Sequence, residues 1–449
     1  LAAWLGDIPY DPGPWRASGQ VSGSRQQLAV SDLKLTLGTP GLLEIEAEGA
    51  IGDIRPLAGD GPGYTVTGIE LRVAAHAPDF AELAKMLETE LPPDHEITAN
   101  LRLAGSDAQL EVSEGSVLVR GSELVATVAP LTAVLRPGTD HPLSALAANL
   151  GLTLSDSAKL SIYTQRPVPS LGPIRLSARL VQNDWTFELL DLLATIGEHD
   201  TKISTRGRIA DLAALSGVTL TNTVAGVSAN DLLAALAPAV NYEQPLGSVS
   251  GAFQLGNAAG PWRLSDLSLS GGDDTSPLQF TLEGGVGDLS RPLTANLTAT
   301  IRIADADLLD ALTGLPMKPV SGSLLMTTNE QYFYTTVKAQ VGATELNAEG
   351  RVAYQDGRVQ DVRVALATPQ LRLQDFGFTD TPDRNGNGQA EQNPDKPGVN
   401  LATLRDRSPA YPVDITVNVE GITGDNTAID SLNIHLTGRD HRYTLEQFS

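Results

Sequence analysis

Leu267-Ser268-Leu269-Ser270-Gly271 and, after a short polar stretch, Leu278-Gln279-Phe280-Thr281-Leu282-Glu283-Gly284 decide the fold. Apolar side chains stand at every second position. Successive side chains of a strand point to opposite faces, so this alternation makes one apolar and one polar face. The glycine after the first run supplies the positive φ that a hairpin turn uses, which predicts antiparallel pairing of the two strands. Val413, Ile415, Val417 and Val419 alternate with Asp414, Thr416, Asn418 and Glu420 in the same way.

The phrase recurs along the chain. Other copies are Leu33 to Gly38 with Leu43 to Ala47, the strand ending at Gly121 with Leu124 to Val128, Leu192 to Gly197 with Ile203 to Gly207, and Val337 to Gly342 with Leu346 to Gly350. Their first glycines are Gly38, Gly121, Gly197, Gly271 and Gly342, spaced 83, 76, 74 and 71 residues apart. That spacing suits a structural repeat with variable loops. A further copy starts at Leu432 to Gly438. The expected repeats are 1–77, 78–157, 158–229, 230–303 and 304–378, with an inserted Asn/Gly/Pro loop at 379–400 and a partial repeat at 401–449. All belong to one body over 1–449.

Between β blocks lie short amphipathic segments that end in proline, at 78–87, 230–236 and 304–312, with another at 401–405. Asp79, Asn230 and Asp305 stand where helix caps are expected. The third copy has only a loop there, at 166–173. Helices this short need the sheet to hold them. The expected fold class is therefore mainly β: an elongated, twisted antiparallel sheet of repeats about 75 residues long, curled into a groove, with short connecting helices.

Composition narrows the function. The chain of 449 residues is 41% hydrophobic but only 5% aromatic, so its core is aliphatic. A net charge of −23 disfavours nucleic acid and any broad electrostatic dock on anionic lipid heads. The absence of cysteine excludes disulfides, thiolate metal sites and a cysteine nucleophile. No run approaches the ~18 apolar residues of a membrane helix, and no signal peptide is visible. Because the chain opens at Leu1 and ends in strand-like sequence, it reads as a fragment lacking an N-terminal anchor.

Two recurring pieces carry a resemblance. One is a helix, a proline and a small-residue strand: Asp305 to Leu312, Leu315-Pro316, then Val320-Ser321-Gly322-Ser323-Leu324, and likewise Asp231-Leu232-Leu233 through Pro245 to Gly251. The other is the strand–Gly–strand–Gly phrase with an Asp-Leu or Asp-Ile tail, in residues 28–54, 203–212 and 264–289. In these the chain resembles the AsmA-like family, which includes TamB-type proteins of Gram-negative envelopes. The likeness covers nearly the whole chain; the insertion at 379–400 departs from it. The resemblance implies a periplasmic protein anchored in the inner membrane. It also implies a curved β groove that carries phospholipid acyl chains toward the outer membrane, and a role in outer-membrane biogenesis. An acyl chain contributes about 0.8 kcal/mol per buried CH₂, so such a groove needs no catalytic group.

Reactive constellations are scarce. There is no phosphate-binding Gly-Lys-Ser/Thr loop, and Gly247 to Gly251 is no nucleophile elbow because its serine falls one place late. The six histidines, His76, His95, His141, His199, His435 and His441, lack metalloprotease spacing. The four tryptophans read as core or rim residues. No enzyme activity is expected. One segment has metal-binding logic: Asp383, Asn385 and Asn387 place oxygens at positions 1, 3 and 5 of an EF-hand-like loop, with Gly388 at position 6. The backbone carbonyl of Gln389 and the carboxylate of Glu391 would continue it. Position 12 is Pro394, so the closing bidentate ligand is missing. The pattern fits a weak Ca²⁺ site, with Kd near 10⁻⁴–10⁻³ M, or a solvated loop.

Three functions follow: a groove protein for lipid acyl chains, an envelope scaffold that pairs with outer-membrane β proteins through strand edges, or an extracellular repeat protein stiffened by calcium. The last wants a calcium loop at every joint, and only one is present.

Overall fold

Each alternating segment becomes a strand. The structure, a computed structural model, describes residues 14–449 except 57–62, 80–94, 162–167, 237–241, 379–410 and 425–427, and shorter gaps at 25, 40, 140–141, 169, 199–200, 259, 330, 356–357 and 440–441. The chain divides into two compact units, Leu1–Leu220 and Thr221–Ser449. Unit 1 holds β1 (Trp15–Ser24), β2 (Gln27–Thr39), β3 (Leu43–Pro56), β4 (Tyr64–Ala77), β5 (His95–Ser106), β6 (Leu110–Gly121), β7 (Leu124–Leu135), β8 (Leu143–Leu154), β9 (Ile174–Asn183), β10 (Thr186–Glu198) and β11 (Thr201–Ile209). The division falls inside β12 (Thr219–Ser228).

Unit 2 continues with helix α1 (Ala229–Leu236), β13 (Ser248–Gly256), β14 (Arg263–Gly271), β15 (Leu278–Val286), β16 (Ala295–Ile303), helix α2 (Ala306–Thr313), β17 (Val320–Thr328), β18 (Tyr332–Val341), β19 (Thr344–Gln355) and β20 (Arg358–Thr368). After these come β21 (Leu371–Arg372), β22 (Val413–Val419), β23 (Ile422–Thr423), β24 (Ala428–Ile429), β25 (Leu432–Arg439) and β26 (Arg442–Phe448). Twenty-three strands form one sheet; β21, β23 and β24 form a small second one. The protein is mainly β, and the large sheet stays open: β1 pairs with β2 and β26 with β25, with no pairing of one to the other.

The longer connections follow β4, β8, β12, β16 and β20, so strands come in groups of four. Antiparallel pairing, expected throughout, has one exception in the large sheet, and the short β21 and β23 of the small sheet also pair in parallel. β20 pairs with β22 in parallel, Val362 opposite Val413 and Thr368 opposite Val419. A parallel partner needs a crossover rather than a hairpin, and the long connection after β20 supplies it. The alternating pattern alone did not foretell this change of direction.

The helices match expectation in place but not in every detail. α2 begins where Asp305 caps it by accepting a hydrogen bond from the Leu308 amide at 2.9 Å, and it ends at Gly314, whose φ is 72°. α1 is present, but Asn230 is not its cap. Asn230 lies inside the helix, and Asp231 instead receives a cap from the Ser228 hydroxyl at 3.4 Å. Before the third group, the described residues of the loop expected at 166–173 carry no regular structure, and an unforeseen 3₁₀ turn, Ser157–Leu160, capped by Asp156, stands upstream of it. The helices expected at 78–87 and 401–405 lie outside the described residues, apart from Pro78 and Asp79.

Candidate functional site: the apolar face

Residues directly opposite one another in neighbouring strands share a face. In unit 2 this rule links Leu269, Leu282, Ala299, Leu324, Val337, Ala348, Leu366, Val417 and Ile434, one residue from each of nine successive strands. The parallel step does not break the row. The opposite face reads Ser270, Thr281, Thr300, Ser323, Lys338, Asn347, Ala367, Asn418 and Asn433. In unit 1 the apolar row is Leu37, Ile45, Ala75, Ala99, Val117, Val128, Leu150 and Ala178. Its reverse side carries Lys34, Glu48, Arg72 and Arg102, with Lys34 and Glu48 paired at 3.1 Å.

Four bulges keep the apolar residues on one face. Asp32, Glu114, Asp191 and Asp266 take φ of 51°, 52°, 52° and 49° in the second strand of four successive groups. At each, two residues oppose one and the register shifts, as between Leu264 and Leu267. A bulge adds a residue and increases the local twist. Without it Leu267 and Leu269 would turn to the polar side, because a one-residue slip exchanges the faces. Acidic side chains suit the position: Asp tolerates the left-handed region better than most residues. The fifth group has no such bulge; β18 pairs without a shift on either side.

Burial along this face is uneven in an informative way. All nine residues of the unit 2 row, from Leu269 to Ile434, are only half-buried. Val364, near the middle of β20, is 37% exposed, and Ile301, two residues from the capped end of β16, is 41% exposed. Most of the fully buried strand side chains of unit 2 lie at one end of the strands, Val249, Ile303, Val341, Thr344, Thr368 and Val419, with Leu267 at mid-strand and Ala295 at the other end also buried. The first of these ends is where the helices sit. Ala229, Leu246, Val249, Ile303, Leu308 and Leu309 form a buried cluster, and Leu278, Phe280, Tyr242 and Met317 pack against it. Phe280 also lies over Gly271, where a Cβ would collide with the ring.

Polar contacts fasten this capped rim. Asn230 receives the Leu246 amide at 2.8 Å and donates to the Gln244 carbonyl at 2.8 Å, so it ties α1 to the segment that leads into β13. Burial pushes the Tyr242 hydroxyl above its ordinary pKa, and the carboxylates of Asp305 and Asp307 push it the same way. Further along, Asp375 is fully buried. It accepts from the Thr344 hydroxyl at 2.9 Å and the Ala343 amide at 3.0 Å, and the Lys318 ammonium lies 2.8 Å away. Burial alone would raise its pKa, but these donors outweigh it and hold the carboxyl below the ordinary aspartate value.

The two rims of unit 2 differ in charge. Connections at the capped rim between β12 and β17 carry Asp231, Glu243, Asp273, Asp274, Asp305, Asp307 and Asp310 against a single basic residue, Lys318. At the other rim, formed by hairpin turns, arginines stand at the starts of β14, β20 and β26, at the end of β25, and in the turn before β16: Arg263, Arg358, Arg442, Arg439 and Arg291. The same turns contain Asp288, Glu330, Asp356 and Asp440 in sequence, so this rim is close to neutral.

The expected metal ligands Asp383, Asn385, Asn387, Gln389 and Glu391 all lie outside the described residues. Among the described residues no cluster of His, Cys, Asp or Glu is suited to a metal ion. His435 sits half-buried on the polar face, 3.0 Å from Asp414 and 3.7 Å from Glu446; His441 lies outside the described residues. Trp15, Trp185 and Trp262 lie at strand ends or in turns, exposed by 71%, 64% and 37%; Trp4 lies outside the described residues. No helix among the described residues is long and apolar enough to cross a membrane.

No protein-family model, curated protein or solved structure matches the chain.

Proposed function

We propose that this chain binds or conducts phospholipid along its apolar sheet face, as a periplasmic bridge-like protein between inner and outer membranes that supports outer-membrane biogenesis. One observation carries the reading. The cross-strand rows are aliphatic without interruption, yet all their members except Ala178 stay partly exposed, and most fully buried strand residues of unit 2 lie at the capped rim. In a closed sandwich the middle of the inner face is its most buried part. A face left half-covered over many strands is an exposed apolar patch, and such patches mark binding sites. Aliphatic side chains with few rings suit acyl chains, whose burial is non-directional. The likeness of the repeats to AsmA-like proteins points the same way and suggests the compartment and the membrane anchor. The reading requires no catalytic group.

The test is lipid extraction and native mass spectrometry on protein purified from a Gram-negative host. Phospholipid is expected to co-purify. Leu324→Asp, in the middle of the apolar row, should abolish it, whereas Ser323→Asp on the reverse face should retain it. Leu278 and Phe280 are unsuitable probes, because they pack on the buried helix cluster. Lipid-free, folded, monodisperse wild-type protein would overturn the proposal and favour a scaffold acting through its strand edges.

A further inference from the structure

We infer that in unit 2 a bound phospholipid lies along the strands with its phosphate headgroup at the hairpin rim and its acyl chains pointing toward the helix-capped rim. The inference rests on the lipid reading above and adds an orientation to it. Access is the first argument. At the capped rim α1, α2 and the segment around Asp375 close over the strand ends, and Val249, Ile303, Leu308 and Leu309 are all below a tenth exposed. A headgroup there would have to displace a packed cluster. Among the described residues the hairpin rim carries no α-helix: its described connections are turns of up to eight residues, one with a 3₁₀ turn at Pro292–Thr294, and Trp262 and Leu289 remain 37% and 44% exposed, while the crossover into β22, which also arrives at this rim, lies largely outside the described residues.

Charge is the second, independent argument. A phosphate is repelled by the seven carboxylates of the capped rim. It meets Arg263, Arg291, Arg358 and Arg439 at the hairpin rim. Guanidinium groups are the side chains best matched to phosphate oxygens. In a chain whose net charge is −23, this near-neutral rim, where Arg291 pairs with Asp288 at 3.4 Å, is the end that repels a phosphate least. Dimensions agree. A nine-residue strand spans about 27 Å at ~3.3 Å per residue. The hydrocarbon layer of one leaflet is about 15 Å deep, half of the ~30 Å bilayer core. A tail that starts at the hairpin rim therefore ends on the open apolar face before it reaches the helices.

The experiment is photo-crosslinking of the full chain with two probes. One is a phosphatidylethanolamine carrying a diazirine on its headgroup; the other is the same lipid with the diazirine at the end of one acyl chain. Peptide mapping should place headgroup adducts severalfold more often in the turns before β14 and β16 and at the start of β20. Chain-end adducts should fall near Val352, Val362 and Val364, on the apolar face at mid-strand and short of the capped rim. Arg291→Glu combined with Arg358→Glu should lower headgroup adducts at the hairpin rim severalfold; unchanged labelling would overturn the role given to the arginines. Reversed or evenly spread adducts would overturn the orientation while leaving lipid binding intact. If neither probe labels the protein, lipid binding itself is wrong.

Discussion

Asp375 is fully buried, yet it carries its charge at neutral pH because Lys318, Thr344 and Ala343 all donate to it. Removing the charge while leaving the donors in place should cost about 2–3 kcal/mol, the range for hydrogen bonds to buried charged groups. Asp375→Asn measured by urea unfolding at pH 7 checks this. The pH dependence has a definite sign. The folded-state pKa is depressed, so the contribution is complete above the unfolded aspartate value of about 3.9 and fades as pH falls through the folded one. The stability gap between wild type and Asp375→Asn should therefore narrow in acid, and a gap that stays constant down to pH 3 would contradict the assignment. Neither this contact nor the role of Asn230 was legible in the sequence. Both depend on partners 14 to 57 residues away, and an Asn before an apolar run reads equally well as a helix cap.

Among the elements, the strands were the most legible, because alternation at period two is a direct image of the pleat. The bulges left a signal that a strict period misses. In β14 the apolar positions run Leu264, Leu267 and Leu269, and in β2 they run Leu28, Val30, Leu33, Leu35 and Leu37. The skipped step in each carries the acidic residue in left-handed conformation. Asp266→Val should cost about 1–2 kcal/mol, the penalty of that conformation for a residue with a branched Cβ. Asp266→Gly should be nearly neutral, within about 1 kcal/mol. Thermal unfolding of the two variants decides it; equal losses would mean that backbone conformation is not the cause. Helix α2 was legible from Asp305 and the leucines behind it, since both cap and apolar stripe are local. The four-residue 3₁₀ turn after β8 was not, because one turn has too few residues to show a period.

At the scale of the whole molecule, the half-covered face has a calorimetric consequence. The heat-capacity change of unfolding is usually about 12–15 cal/mol/K per residue and reflects apolar surface newly exposed. Here part of that surface already meets water in the folded chain. The value should fall below this range for lipid-free protein and rise once lipid is loaded. A normal value without lipid would indicate a covered face. The sequence disclosed the face but not its rims: which end is capped depends on how the connections fold back, and the candidate calcium loop lies outside the described residues.

The order of the strands also sets an order in time. Up to β20 nearly every strand lies beside the one made just before it, so a chain emerging from the ribosome can add each strand as it appears. β22 is different. Its neighbour β20 ended more than forty residues earlier, and closing a longer loop costs more chain entropy, roughly as (3/2)RT ln n. Contacts between distant parts of a chain form late. The growing sheet therefore pauses at β20, with that strand's edge bare until the crossover has been synthesised, and this is the stage at which a nascent chain has most need of a chaperone.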